Sequence, residues 1–390
     1  MKQNPYFSQV SHPYLFSEVK ARVAHFRAHH PEVDLIDLGC GNTTEPLGSS
    51  TADALSNAAA DLKDAARYIG YGPEQGLLLL RERIGSVIYH NALSPDEIFI
   101  SDGAKCDIGR LLILFGPNTH VALQDPLYPA YADACFLTRW ANPSCFSYLP
   151  YRPDSPLCLE MVPEHAAIFL CSPNNPTGEV FTHTELQAIV NSARQRHQII
   201  VFDTAYQAFV QGSLPRSIYE VDGAQEVAIE IGSFSKMAGF CGVRLGWTVI
   251  PKAICYNDGG SLHADFSRVI TTLFHGASIV SQRGGIQALT QTGQAECARQ
   301  IDVYRKNTTL LQTTFVKNGF HVCGGEHAPF LWVQMKQMNS WDFFNYCLMK
   351  AGIIVTPGIG FGPSGEGYIR ICGFGKPSTI AQAASRISLL

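Results

Sequence analysis

The chain has 390 residues, 46% hydrophobic and 16% charged, with a formal net charge of -4. That length favours two domains, and a chain this size buries roughly three quarters of its unfolded surface without metal or disulfide staples. Its mild acidity and the lack of any run of five like charges argue against nucleic acid as the main partner.

Twelve cysteines are scattered from Cys40 to Cys372 with no CxxC pair, which suits reduced thiols in a cytoplasm better than disulfides or zinc. The polar start Met1–Val10, with Pro5, does not read as a signal peptide, and no run of about 18 apolar residues would span a membrane. A helix is expected over Phe16–His29. His25 and His29 lie four apart on it, a metal-like spacing, but with no third ligand a solvated face accounts for them. A short strand, Leu35–Leu38, runs into the tight loop Gly39–Asn42, where Gly41 lets a ligand approach the backbone. Helices are expected over Asp53–Ala66 and Leu77–Tyr89, separated by the glycine-rich loop Gly70–Gly76.

From Glu97 the pattern becomes strand, loop, helix, repeated. The strands are Glu97–Ser101, His120–Gln124, Ala166–Cys171, Gln198–Phe202, Val227–Ile231 and Leu245–Ile250. Short, continuously apolar runs separated by helical segments predict a mostly parallel sheet covered on both faces. A long helical region starts near Gly284 and runs through Tyr304 to Val316. Beyond it, Phe330–Val333, Tyr368–Cys372 and the glycine-rich loop Thr356–Gly362 read as a small α+β domain. The boundaries drawn are a large domain over 38–285 and a small one formed by 1–37 with 286–390.

In α/β sheets the working residues gather at the carboxyl ends of strands. Ser101–Lys105 opens a helix with small Gly103 and Ala104, a cradle suited to phosphate. Tyr128 follows the second strand, where its ring could stack on a planar cofactor. Asn175 sits in a loop stiffened by Pro173 and Pro176, and could bond a phenolic oxygen. Asp203 and Tyr206 follow the fourth strand. A carboxylate at a buried strand end needs a cation, and a protonated pyridine nitrogen is one. Past Val227–Ile231 stands Ser233-Phe234-Ser235-Lys236, with Arg244 eight residues on. An unpaired buried ammonium is costly, and a covalent bond to pyridoxal 5'-phosphate is a reason to place one there, with both serines and the arginine on the phosphate.

Asn175, Asp203, Tyr206, Lys236 and Arg244, in that order, resemble the fold type I, class I/II aminotransferases over essentially the whole chain. The resemblance implies an α/β fold type I transferase dependent on pyridoxal phosphate. Its large domain would hold a mostly parallel seven-stranded sheet flanked by helices, beside a smaller α+β domain. Six local stretches are similar to the LL-diaminopimelate aminotransferase family: GCGNTTEPL, GYGPEQG, SDGAK, QDPLYPAY, GGEHAPFLWV and TPGIGFG. That family moves an amino group between LL-2,6-diaminopimelate and 2-oxoglutarate in lysine and peptidoglycan-precursor metabolism.

By that resemblance Lys236 carries the cofactor covalently. Asn175, Asp203 and Tyr206 hold its ring under Tyr128, and Ala104, Lys105, Ser233, Ser235 and Arg244 surround its phosphate. Tyr71 would reach that phosphate across a homodimer interface. Tyr14, Gly41, Lys105, Tyr128, Asn175 and Arg370 would meet the substrate, with His275 near both substrate and cofactor. Arg370 is suited to the α-carboxylate, because its planar fork binds a carboxylate bidentately. Lys105 would meet the distal carboxylate of diaminopimelate and Glu74 its distal ammonium. The chain departs from the family pattern at His275, where the family has Asn, and slightly at Gly39-Cys40-Gly41 and Met237-Ala238. Rival readings are an aminotransferase of aspartate, alanine or aromatic amino acids, and a pyridoxal-phosphate β-lyase. A non-catalytic cofactor-sensing regulator is a third, without the basic helix-turn-helix extension that would serve it.

Overall fold

Strands apolar on both faces are stable only inside a sheet covered on both sides, and that demand shapes this molecule. The computed structural model describes residues 1, 10, 14–116, 118–138, 145–151, 157–335 and 337–390. Strand β1 is Ile36–Asp37, followed by β2 (Ile98–Ser101), β3 (Val121–Asp125), β4 (Phe146–Pro150), β5 (Ala167–Cys171), β6 (Ile199–Asp203), β7 (Ala228–Ser233) and β8 (Gly246–Val249). The C-terminal part adds β9 (His321–Gly324), β10 (Phe330–Gln334), β11 (Ile353–Ile354), β12 (Thr356–Pro357) and β13 (Tyr368–Cys372).

Strands β2 to β8 form one sheet in the order β2-β8-β7-β6-β5-β3-β4. Every residue of β2, β3, β5, β7 and β8 is buried. All neighbours are parallel except β8, which runs antiparallel to both β2 and β7. The edge strand β4 escaped sequence reading because Ser147, Tyr148 and Pro150 break its apolar run and most of it is only half-buried. Helices cover the faces. In His183–Gln195, Leu186, Ile189, Val190 and Ala193 point inward at helical spacing, behind a Thr182–Glu185 capping box.

Two helical expectations shift for tertiary reasons. The helix expected over Asp53–Ala66 spans Ser49–Asp61, because the distant Glu296 carboxylate accepts from Ser49 Oγ, Ser50 Oγ and the Ser50 N–H and so caps its start. The long helical region is two helices, Ile279–Ala288 and Gln291–Lys317; Thr290 starts the second by accepting from Gly293 N–H.

A second sheet, β12-β13-β10-β9, is antiparallel throughout, and β1 pairs in parallel with β11. Leu15, Val19 and Val23 of helix Leu15–His29 share one core with Phe343, Phe344, Ile369 and Ile371. This C-terminal layer closes over the end of the large sheet: Phe361 O accepts from Leu127 N–H at 2.8 Å, and Asp125 accepts from Ser364 N–H at 3.0 Å. Between the layers, at the carboxyl ends of β5, β6 and β7, lies a cavity of about 340 Å³.

Candidate active site

One end of this cavity is built for an anion. Helix Ala104–Leu112 starts behind Gly103, whose φ of +124° few side chains tolerate. A Cβ on Gly103 would lie 2.5 Å from Arg244 Nη2, so glycine alone lets that guanidinium close on the helix start. β7 ends in Ser233, whose Oγ accepts from Ser235 N–H at 3.1 Å and starts the short helix Phe234–Met237. The unbonded N–H groups of a helix start, two hydroxyls and a guanidinium all border the same space.

The other end holds a carboxylate and a guanidinium, both buried. Asp203 closes β6 and accepts from Tyr131 O–H at 2.5 Å and Ala205 N–H at 2.8 Å. Burial pushes its carboxyl above the ordinary range against those two donors. Tyr206 follows, buried, with its ring edge-on to Phe330. Arg370 is 2% exposed, donating from Nη1 to Asn175 Oδ1 and from Nη2 to Gly39 O, both at 2.7 Å. Its Nε is a buried donor with no partner among the described residues. Asn175 is held by its own loop, where Asn174 Nδ2 donates to Pro126 O and Asn174 O accepts from Gly178 N–H. Between the two ends stands Lys236, its Nζ donating to Gly41 O and, at 3.1 Å, to Cys241 Sγ.

Of the residues singled out from the sequence, Gly41, Ala104, Lys105, Tyr128, Asn175, Asp203 and Tyr206 line this cavity, as do Ser233, Ser235, Lys236, Arg244 and Arg370. Tyr14 stands at its rim, its O–H 3.1 Å from Tyr128 O–H and 3.2 Å from Lys105 Nζ. Tyr71, Glu74 and His275 do not line it within one chain. They cluster elsewhere: the Tyr71 and His275 rings meet edge-on at 4.6 Å, and His275 Nδ1 lies 3.4 Å from Glu74 Oε1. Sequence reasoning missed Tyr131 and Cys241. Tyr131 carries a signal, a tyrosine three residues past Tyr128 in the same turn-to-helix segment; Cys241 carries none.

A mostly parallel sheet with lysine, aspartate and an anion cradle at its carboxyl edge defines a fold type I aminotransferase. The family model for class I and II aminotransferases matches residues 33–387, and the chain belongs to that family. It is 42% identical over 398 residues to an LL-diaminopimelate aminotransferase of Protochlamydia amoebophila, covering 99% of this chain and 97% of that protein. A chloroplastic LL-diaminopimelate aminotransferase of Arabidopsis thaliana is 41% identical over 401 residues, covering 100% and 87%. The solved L,L-diaminopimelate aminotransferase of Chlamydomonas reinhardtii superposes with a TM-score of 0.94 at 43% identity, covering 99% and 98%.

Enzymes of this family depend on pyridoxal 5'-phosphate. The residues present fit that group. Gly103 leaves room for a phosphate where a Cβ would not, Asp203 is a buried carboxylate without a cation among the described residues, and the Lys236 amine shares their cavity.

Proposed function

We propose that this enzyme transfers an amino group between LL-2,6-diaminopimelate and 2-oxoglutarate. The observation that carries the reading is its identity of 41–43%, over essentially the full chain, with proteins named for that activity. When bound, pyridoxal phosphate supplies an electron sink for the substrate α-carbon. Lys236 anchors the cofactor and, once released, moves the proton at the substrate Cα as base and then acid. Asp203 would keep a proton on the ring nitrogen by offering it a buried negative partner, and Asn175, Tyr206 and Tyr128 would hold the ring. The Ala104 N–H and the Ser233 and Ser235 hydroxyls would bond the phosphate, and Lys105 and Arg244 would offset its charge.

Arg370 binds the α-carboxylate, and its unpartnered Nε is one donor such a group would satisfy. At the outer end Lys105 meets the distal carboxylate, with the Tyr14 hydroxyl beside it and Gly41 lining the substrate side. Glu74 accepts the distal ammonium, and with Tyr71 and His275 it does so from a second copy of the chain. Support for a homodimer is the exposure of Tyr71 at 89%, flanked in sequence by half-exposed Leu78 and Leu79 and, beside His275, by Leu273. We draw the division at 38–285 for the large domain and 1–37 with 286–390 for the small one. No disulfide links the described cysteines, which fits a reducing compartment, the cytoplasm.

The test is turnover of purified protein with LL-diaminopimelate and 2-oxoglutarate, beside the meso isomer, aspartate, alanine and an aromatic amino acid. Fast glutamate formation with the LL isomer, lost by at least about 10³-fold in Lys236→Ala, is expected. Turnover confined to the other amino acids would retire the diaminopimelate reading.

A further inference from the structure

We propose that Cys241 is a positioning residue for Lys236: together with the Gly41 carbonyl it holds the lysine amine, while that amine carries no cofactor, in the place from which it captures one. The inference rests on the reading of Lys236 as the cofactor lysine.

The geometry is a directed chain of donors. Lys236 Nζ donates to Gly41 O and to Cys241 Sγ at 3.1 Å, and Cys241 Sγ–H donates onward to Ser235 O at 3.4 Å. An ammonium has three N–H groups; with two of them anchored, loss of the third proton to solvent leaves the lone pair that attacks the cofactor's aldehyde, with release of water, facing the cavity that Lys236 and Cys241 both line. The Phe374 ring lies 5.4 Å from the amine. A lysine side chain loses much rotamer freedom when fixed, and two anchors on different elements do that fixing before the cofactor arrives. Gly41 comes from the loop after β1 and Cys241 from the turn after Phe234–Met237, so the amine is held from both sides.

Cys241 also differs from its fellow cysteines. Burial pushes its thiol up, but the Lys236 ammonium and the hydrogen bonds of Thr43 outweigh that and hold it below its usual range. Cys135, Cys171 and Cys347, buried without such a neighbour, are pushed up instead.

The role is polar, so it separates from packing. A serine hydroxyl can accept from Lys236 and donate to Ser235 O; alanine and valine can do neither. Full-length protein stripped of cofactor is mixed with pyridoxal 5'-phosphate, and covalent capture is followed by stopped-flow absorbance. Cys241→Ser is expected within about threefold of the unmodified chain, and Cys241→Ala and Cys241→Val about tenfold slower, the scale of one hydrogen bond to a charged group. Alanine and valine variants at the parent rate, or a serine variant as slow as they are, would overturn the proposal. A second readout leaves Cys241 in place: the pH profile of its alkylation by iodoacetamide, read by peptide mass spectrometry. Lys236→Met should move that profile to higher pH, and an unmoved profile overturns the contact. If Lys236→Ala still captures the cofactor covalently, the assignment of Lys236 itself falls and this inference with it.

Discussion

Asp203 and Glu230 are carboxylates buried on adjacent strands, one residue apart in register and so on opposite faces of the sheet, since Asp203 pairs with Ile231 and Phe202 with Glu230. The protein treats them differently. Glu230 accepts from Ser217 Oγ at 2.6 Å, Tyr89 O–H at 2.8 Å, Ile218 N–H at 3.1 Å and Thr204 Oγ1 at 3.2 Å. Trp247 Nε1 donates to the Tyr89 oxygen at 2.8 Å, which directs the Tyr89 O–H toward Glu230. Asp203 has two donors and borders a cavity. A carboxylate offers about four acceptor sites, so Glu230 is filled by its own fold and Asp203 is left half-filled. The first is a structural knot; the second waits for a cation. Arg370, buried with an unpartnered Nε, is the same incompleteness with the opposite charge.

The largest effect that could break this comparison is at Asp203. Asp203→Ala should lower kcat by roughly 10²–10⁴-fold while cofactor content, read by absorbance, falls much less. Equal losses would make Asp203 another Glu230. Next, Arg370→Lys should weaken every amino and keto acid alike, by on the order of 10²-fold in kcat/KM, because a point charge replaces a bidentate fork. A loss confined to one substrate would move Arg370 away from the α-carboxylate.

Glu230 predicts a stability effect instead. Burial, against its four donors, raises its carboxyl from the ordinary 4.5 to about 7. The folded state therefore holds that proton more tightly than the unfolded chain does. The resulting stability is fully present below about pH 4.5 and is lost as pH rises through about 7. Denaturation of the parent chain and Glu230→Gln between pH 4.5 and 8 should diverge by roughly 3 kcal/mol across that window. Parallel curves would place the titration elsewhere. The smallest effect is at the exposed cluster, where Glu74→Gln should slow diaminopimelate more than glutamate, by about threefold to tenfold. Equal effects on both would leave Glu74 a loop carboxylate bonded to Thr271 Oγ1, as it is within one chain.

Legibility followed the same division. Asp203, Asn175 and Lys236 could be read because each follows a continuous apolar strand, and strand ends of a parallel sheet meet at one edge whatever lies between them. Tyr131 could not, because its bond to Asp203 spans 72 residues and depends on how the helix after β3 crosses β6. Cys241 could not either, since nothing in a lone cysteine five residues past a lysine says that the chain turns back to bring them together. The helix start at Ser49 was missed for want of Glu296, which is 246 residues away from Ser50.

By itself, then, the order of residues determined six of the sheet's seven strands, its mostly parallel sense and the polar groups at its edge, because these depend on local apolarity and on neighbours in sequence. Only the tertiary structure decided which charges were completed. Glu230 gained Tyr89, Lys236 its Gly41 anchor and Arg370 its bond to Asn175 from segments far off in the chain. Electrostatic completion depends on distances of a few ångströms, and those exist only once the layers have closed.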